Sequence, residues 1–138
     1  MAYAPVTRTV LDTDRRFVFS FNHISDGSNG GTTTIDASGL SANKEGQACT
    51  HLDIEKIHGN ISTTAANDSA LVAFDADTDD TAILLNGDTD YDFSSFGGIT
   101  NPLSTGATGD IKITIPVQTA NDSTFIMLEC IKRYSALS

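Results

Sequence analysis

An all-β fold, a single antiparallel β-sandwich of jelly-roll type with about eight or nine strands, is what the sequence predicts. Three observations predict it. The first is composition: the 138 residues hold 18 Thr, 13 Ser, 8 Asn and 11 Gly, and Asp outnumbers Glu by 15 to 3. These residue types favour strands, turns and caps over helix interiors. The second is a recurring period of two in the apolar residues, which puts them on one face of an extended chain. The third is turn chemistry, with Gly, Asn, Asp and Ser clusters recurring about every 8–12 residues, the spacing of short strands in a sandwich or barrel. A chain of this length forms one domain and buries enough surface to fold without disulfides or metal.

The elements follow in order. Residues 1–10 read as an extended N-terminal arm, with a possible first strand from Val6 to Leu11, and residues 11–138 as the sandwich domain. Arg15 to Ile24 is the clearest strand, because Phe17, Phe19 and Phe21 alternate with Val18, Ser20 and Asn22. Asp26-Gly-Ser-Asn-Gly-Gly31 is a dense turn, after which Thr32 to Ile35 is predicted to pair back as a hairpin. Residues 37–49 are small and polar and read as a loop. His51 to Ile61 is a long strand whose alternation shifts between Ile54 and Ile57, which predicts a bulge at Glu55 and Lys56. Ala70 to Phe74 and Thr81 to Leu85 form a strand pair around an Asp-rich connection, closed by Asn86-Gly87-Asp88. Asp90 to Thr108 reads as a long loop anchored by Phe93 and Phe96. Asp110 to Val117 alternates through Ile111, Ile113, Ile115 and Val117, with Pro116 marking its end or a sheet edge. Thr124 to Ile131 is apolar on both faces and is predicted to be a central strand. The predicted core holds Phe17, Phe19, Phe21, Ile54, Val72, Ile113, Ile115, Ile126 and Leu128.

The charge balance narrows the function classes. Lys and Arg total 8 against 18 acidic residues, a net charge of −10. A chain that neutralises phosphates needs a basic stripe, so neither nucleic acid nor an anionic membrane is an expected partner. The N-terminal sequence MAYAPVTRTV lacks the basic and apolar regions of a secretory signal, so synthesis in the cytoplasm is expected. Cys49 and Cys130 match neither a disulfide framework nor a zinc site and read as buried thiols.

Motifs of catalysis are missing from the sequence. It carries no Gly-x-Ser-x-Gly elbow, no phosphate-binding Gly-rich loop and no His-Glu-x-x-His. His51 and His58 are an odd number of residues apart, so they face opposite ways on a strand unless the bulge intervenes. No catalytic residue, cofactor or resident metal is therefore expected. The one site-like pattern is Asp75, Asp77 and Asp79, alternating carboxylates that suit a hard cation such as calcium. The run departs from the EF-hand loop at Asp80, where Gly is required, and at Asn86, where Glu is required, so a solvated acidic turn is the favoured reading. Trp is absent and Tyr numbers 3, which weakens glycosidase and sugar-binding readings.

Four stretches carry a resemblance. They are Thr9-Val10-Leu11 leading into Phe17-Val18-Phe19; His23-Ile24-Ser25-Asp26-Gly27-Ser28 before Ile35-Asp36-Ala37-Ser38; Phe74-Asp75-Ala76-Asp77-Thr78-Asp79; and Phe96-Gly97-Gly98-Ile99 followed by Thr108-Gly109-Asp110-Ile111. Across residues 8–132 the chain resembles small virion proteins of tailed bacteriophages, of the head decoration or cement type. The resemblance implies a β-sandwich bound to the outside of a phage head, in many copies and often as trimers, with the major capsid protein as partner. It transfers no active site. The candidate partner-binding residues are Tyr3, Pro5 and Val6 in the arm, which could augment a neighbouring sheet, and Phe93, Phe96 and Ile99 in the long loop. The competing readings are a tail, neck or fibre protein, a carbohydrate- or cell-surface-binding module, and a small hydrolase in which His23 or His58 meets carboxylates or Cys49.

Overall fold

The three alternating phenylalanines set the core. In a computed structural model, which describes residues 5–28, 30–62 and 69–134, Phe17, Phe19 and Phe21 all lie buried on one face of the second strand. The strands in chain order are β1 (Val6–Asp12), β2 (Arg16–Ile24), β3 (Gly31–Ile35), β4 (His51–Ser62), β5 (Ala70–Phe74), β6 (Asp80–Leu85), β7 (Gly87–Asp92), β8 (Ile111–Ile115) and β9 (Ser123–Arg133). Two short 3-10 turns, Ala37–Gly39 and Ser94–Phe96, accompany them.

The strands form two antiparallel sheets. One has the order β1-β2-β9-β4-β7 and the other β3-β8-β5-β6. Consecutive described strands repeatedly change sheet, at β2 to β3, β3 to β4, β4 to β5, β6 to β7, β7 to β8 and β8 to β9. This is the double-sheet jelly roll, with β1 added outside β2. All nine core residues predicted from alternation are buried between the sheets.

The topology corrects two local expectations. β3 does not pair back on β2 but lies in the opposite sheet against β8, because a jelly roll sends these consecutive strands to different layers. The first strand expected from Val6 to Leu11 is present, hydrogen-bonded to β2. The loop expected from Asp90 begins later, since Gly87–Asp92 pairs along β4.

β9 is the middle strand of its sheet, paired with β2 on one side and β4 on the other. The β4 ladder shifts register between Ile54 and Lys56, at the bulge that the broken alternation predicts. The bulge keeps Leu52 and Ile54 on the same inward face as Ile57 and Ile61. Beyond β7 the chain turns at Gly98, whose φ of +93° favours glycine and where a Cβ would stand 2.6 Å from the Ile54 carbonyl oxygen. Ile99 then continues along the edge of β4: the Ile54 amide donates to the Ile99 carbonyl at 3.0 Å and the Ile99 amide to the Ile54 carbonyl at 2.6 Å. Among the described residues no helix is long and apolar enough to cross a membrane.

Candidate functional site

Chemistry inside the sandwich is sparse. The space between the sheets is filled by phenylalanine, isoleucine, leucine and valine side chains. Among the described residues no group of three or more His, Cys, Asp or Glu is placed to hold a metal ion. Cys49 and Cys130 are buried thiols, and burial pushes both above the ordinary thiol range, which disfavours the reactive thiolate.

The bulge also decides the histidines. It puts His51 and His58 on the same outward face of β4, about 20 Å apart along the strand. Nδ1 of His58 lies 2.9 Å from Asp90 and Nε2 lies 3.2 Å from Glu129. His51 is buried beside Thr50, and His23 is buried at the inner end of β2. His58 thus meets two carboxylates, as the hydrolase reading has it, on the partly exposed outer face of the sheet.

The Asp-rich turn between β5 and β6 is organised by a lysine. Nζ of Lys112 on β8 lies 3.0 Å from Asp75 and 3.2 Å from Asp79. Thr108 donates to Asp75 at 2.7 Å, and this bond, with that of Lys112, holds the Asp75 carboxyl below the usual carboxylate range. Asp77 stands apart, packed against Gly106. The turn is thus an ion-paired cluster in which an ammonium group lies between two of the three carboxylates proposed for calcium.

The candidate partner-binding residues divide. Tyr3 lies outside the described residues. Pro5 is half-buried and Val6 is 70% exposed at the start of β1. Phe93 packs inward on the core and stacks against Tyr91 at 5.8 Å between ring centroids. Ile99 is tied to β4 by its backbone and also packs on the core. Phe96 is the member of this loop that faces solvent, 69% exposed.

β1 itself is the most distinctive surface. Six of its seven residues, Val6 to Leu11, are exposed. Direct neighbours share a face across an antiparallel pair, so Thr7 and Thr9, opposite Phe21 and Phe19, point to the inner side of the sheet. They remain exposed, and β2 is the element that β1 packs against among the described residues. Among the described residues the strand therefore has β2 as its one ladder partner, with its other hydrogen-bonding edge open. It carries a single basic side chain, Arg8, and exposes Val6, Val10 and Leu11; a register shift between Thr9 and Leu11 and Pro5 just before the strand are the devices that limit pairing along this edge. The apolar pattern of Val6 to Leu11 marks a strand, but its exposure depends on what packs against it, which no local signal encodes.

No protein-family profile matches the sequence, and no curated protein matches it. Among solved structures the chain is similar to a cupin domain from Bordetella pertussis Tohama I. The similarity has 13% identity and a TM-score of 0.40, and it covers 96% of this chain and 97% of that one. At that distance the likeness carries no functional argument.

Proposed function

We propose that the chain is a non-enzymatic virion structural protein that binds the outside of a phage capsid and stabilises the mature shell. The observation that carries this reading is β1, an open and largely uncharged strand edge. Such an edge accepts a strand from a neighbour: backbone hydrogen bonds supply affinity and alternate side chains supply specificity. The filled interior supports the same reading, since it leaves the outer surfaces as the chemistry the chain presents. The phage resemblance supplies the partner, the major capsid protein of the head, and favours a homo-oligomer of trimeric form. A protein that binds the mature lattice and not its precursor shifts the equilibrium toward the assembled shell by mass action. The place of action is then the capsid exterior, after synthesis in the host cytoplasm.

The test is co-sedimentation with expanded, undecorated heads of the phage that encodes the chain. The unaltered protein is expected to pellet with the heads and to raise their resistance to heat. Its failure to bind overturns the proposal.

A further inference from the structure

Five directly opposed residues run across the outward face of the larger sheet near one end. Val6 on β1 faces Asn22 on β2, Asn22 faces Phe125 on β9, Phe125 faces Asn60 on β4, and Asn60 faces Asp88 on β7. Directly opposed residues share a face, so Phe125 stands between two carboxamides. The next row toward the sheet end is Ile24, Ser123 and Ser62. Of these, Asn22, Ile24, Asn60, Ser62, Ser123 and Phe125 line an open groove of about 660 Å³, together with His23 and Thr124 at the same end of β2 and β9. Phe125 is half-buried, while Asn22, Asn60 and Ser62 are exposed. The side chains of Asn22 and Asn60 make no hydrogen bond to any described residue.

We propose that this groove binds a neutral saccharide, with one pyranose ring lying on Phe125 and its hydroxyls bonded by Asn22 and Asn60. The chemistry matches at each point. A pyranose has an apolar C–H face, which an aromatic ring covers, and an equatorial rim of hydroxyls. A carboxamide both donates and accepts, so it bonds a hydroxyl in either sense. Adjacent strands are about 4.8 Å apart, so the two asparagine backbones stand roughly 9–10 Å apart on either side of the ring, the width of one sugar with its hydroxyls. Asp88 adds an acceptor at the end of the row and Ile24, 71% exposed, an apolar rim. The row itself holds no cation and ends at Asp88, so an acidic sugar would meet a carboxylate there; the next row on the same face carries Arg8, opposite Ser20, and His58, whose Nδ1 lies 2.9 Å from Asp90. The chain has no Trp to serve as a sugar platform; the sheet register supplies one from a phenylalanine instead. The inference does not rest on capsid binding, because Asn22, Phe125 and Asn60, which carry it, lie on β2, β9 and β4 and not on β1.

The experiment is a nitrogen-15 NMR titration with maltose, cellobiose, lactose and N,N′-diacetylchitobiose, with sialyllactose and digalacturonate as acidic counterparts. At least one neutral sugar is expected to shift the amides of Asn22, Phe125 and Asn60 in the millimolar range, and the acidic sugars are expected not to. Phe125→Ala is expected to weaken binding by at least about tenfold. The Asn60→Ala variant, altered at an exposed side chain that supports no other residue, is expected to weaken it roughly 3- to 10-fold. An unchanged thermal melt distinguishes lost binding from lost fold. Three results would overturn the proposal: no shift with any neutral sugar, shifts that survive both substitutions, or equal binding of the acidic sugars. Concentration-dependent shifts at the same residues without sugar would assign the face to self-association and overturn it as well.

Discussion

Lys132 continues the inward alternation of Ile126, Leu128 and Cys130 on β9, so a charged side chain falls where an apolar one is expected. The position works because each ammonium proton has an acceptor: Asp12, the Thr13 carbonyl at 2.8 Å and the Ser41 carbonyl at 2.7 Å. Burial pushes the Asp12 carboxyl up, but bonds from Lys132 and Ser41 outweigh it and hold it below 3.8. Lys132→Met leaves a carboxylate and two carbonyls without their donor and is expected to cost about 3 kcal/mol in urea unfolding. Phe19→Ala removes a ring that is 8% exposed and is expected to cost about 3–5 kcal/mol; an unchanged melting temperature would contradict its place in the core. Burial lowers the pKa of both His23 and His51 below 6.5. As pH falls through 6.5 the unfolded chain takes up these protons first, so the folded state loses stability on the acid side. The slope is at most about 1.4 kcal/mol per pH unit for each histidine. Urea midpoints between neutral pH and pH about 5 check this, and His23→Gln should flatten the fall.

Strands differ in how openly they announce themselves. β2 and β8 alternate cleanly and are legible from side chains alone. The β4 bulge is legible too, because one extra residue in a strand shifts the apolar alternation by one and leaves both halves extended. β7 is not: Gly87, Asp88, Asp90 and Asp92 have poor strand propensity, and the segment is extended because β4 offers it a ladder. β1 is legible as a strand but not as a sheet edge. Its open edge makes a specific prediction: Val6→Lys combined with Val10→Lys places charge along the edge, as proteins do to block pairing. Melting is expected to stay within a few degrees, since both side chains are exposed, while co-sedimentation with capsids falls sharply. Retained binding would show that another surface makes the contact.

At the scale of the molecule, the jelly roll makes most pairings non-local. β1 and β2 are joined by a short turn, but β9 must find both β2 and β4 across most of the chain. Closing such loops costs entropy before any contact forms, so refolding is expected on the millisecond-to-second scale by stopped-flow fluorescence; a microsecond phase carrying the whole amplitude would contradict the topology.

The candidate sites show the same division. The carboxylates of Asp75 and Asp79 are plain in the sequence, but the lysine that lies between them comes from β8, more than thirty residues away. Phe125 reads as one more apolar residue in a central strand until β2 and β4 bring an asparagine to each side of it. By itself the sequence determined the all-β class, most strands, the nine core residues and the poverty of catalytic motifs, because alternation, turn chemistry and composition are local or additive properties. Which sheet β3 joins, where β1 sits in its sheet, and which side chains meet across strands were decided only by the tertiary structure, because sheet neighbours are chosen by burial of faces and closure of ladders between segments far apart in the chain.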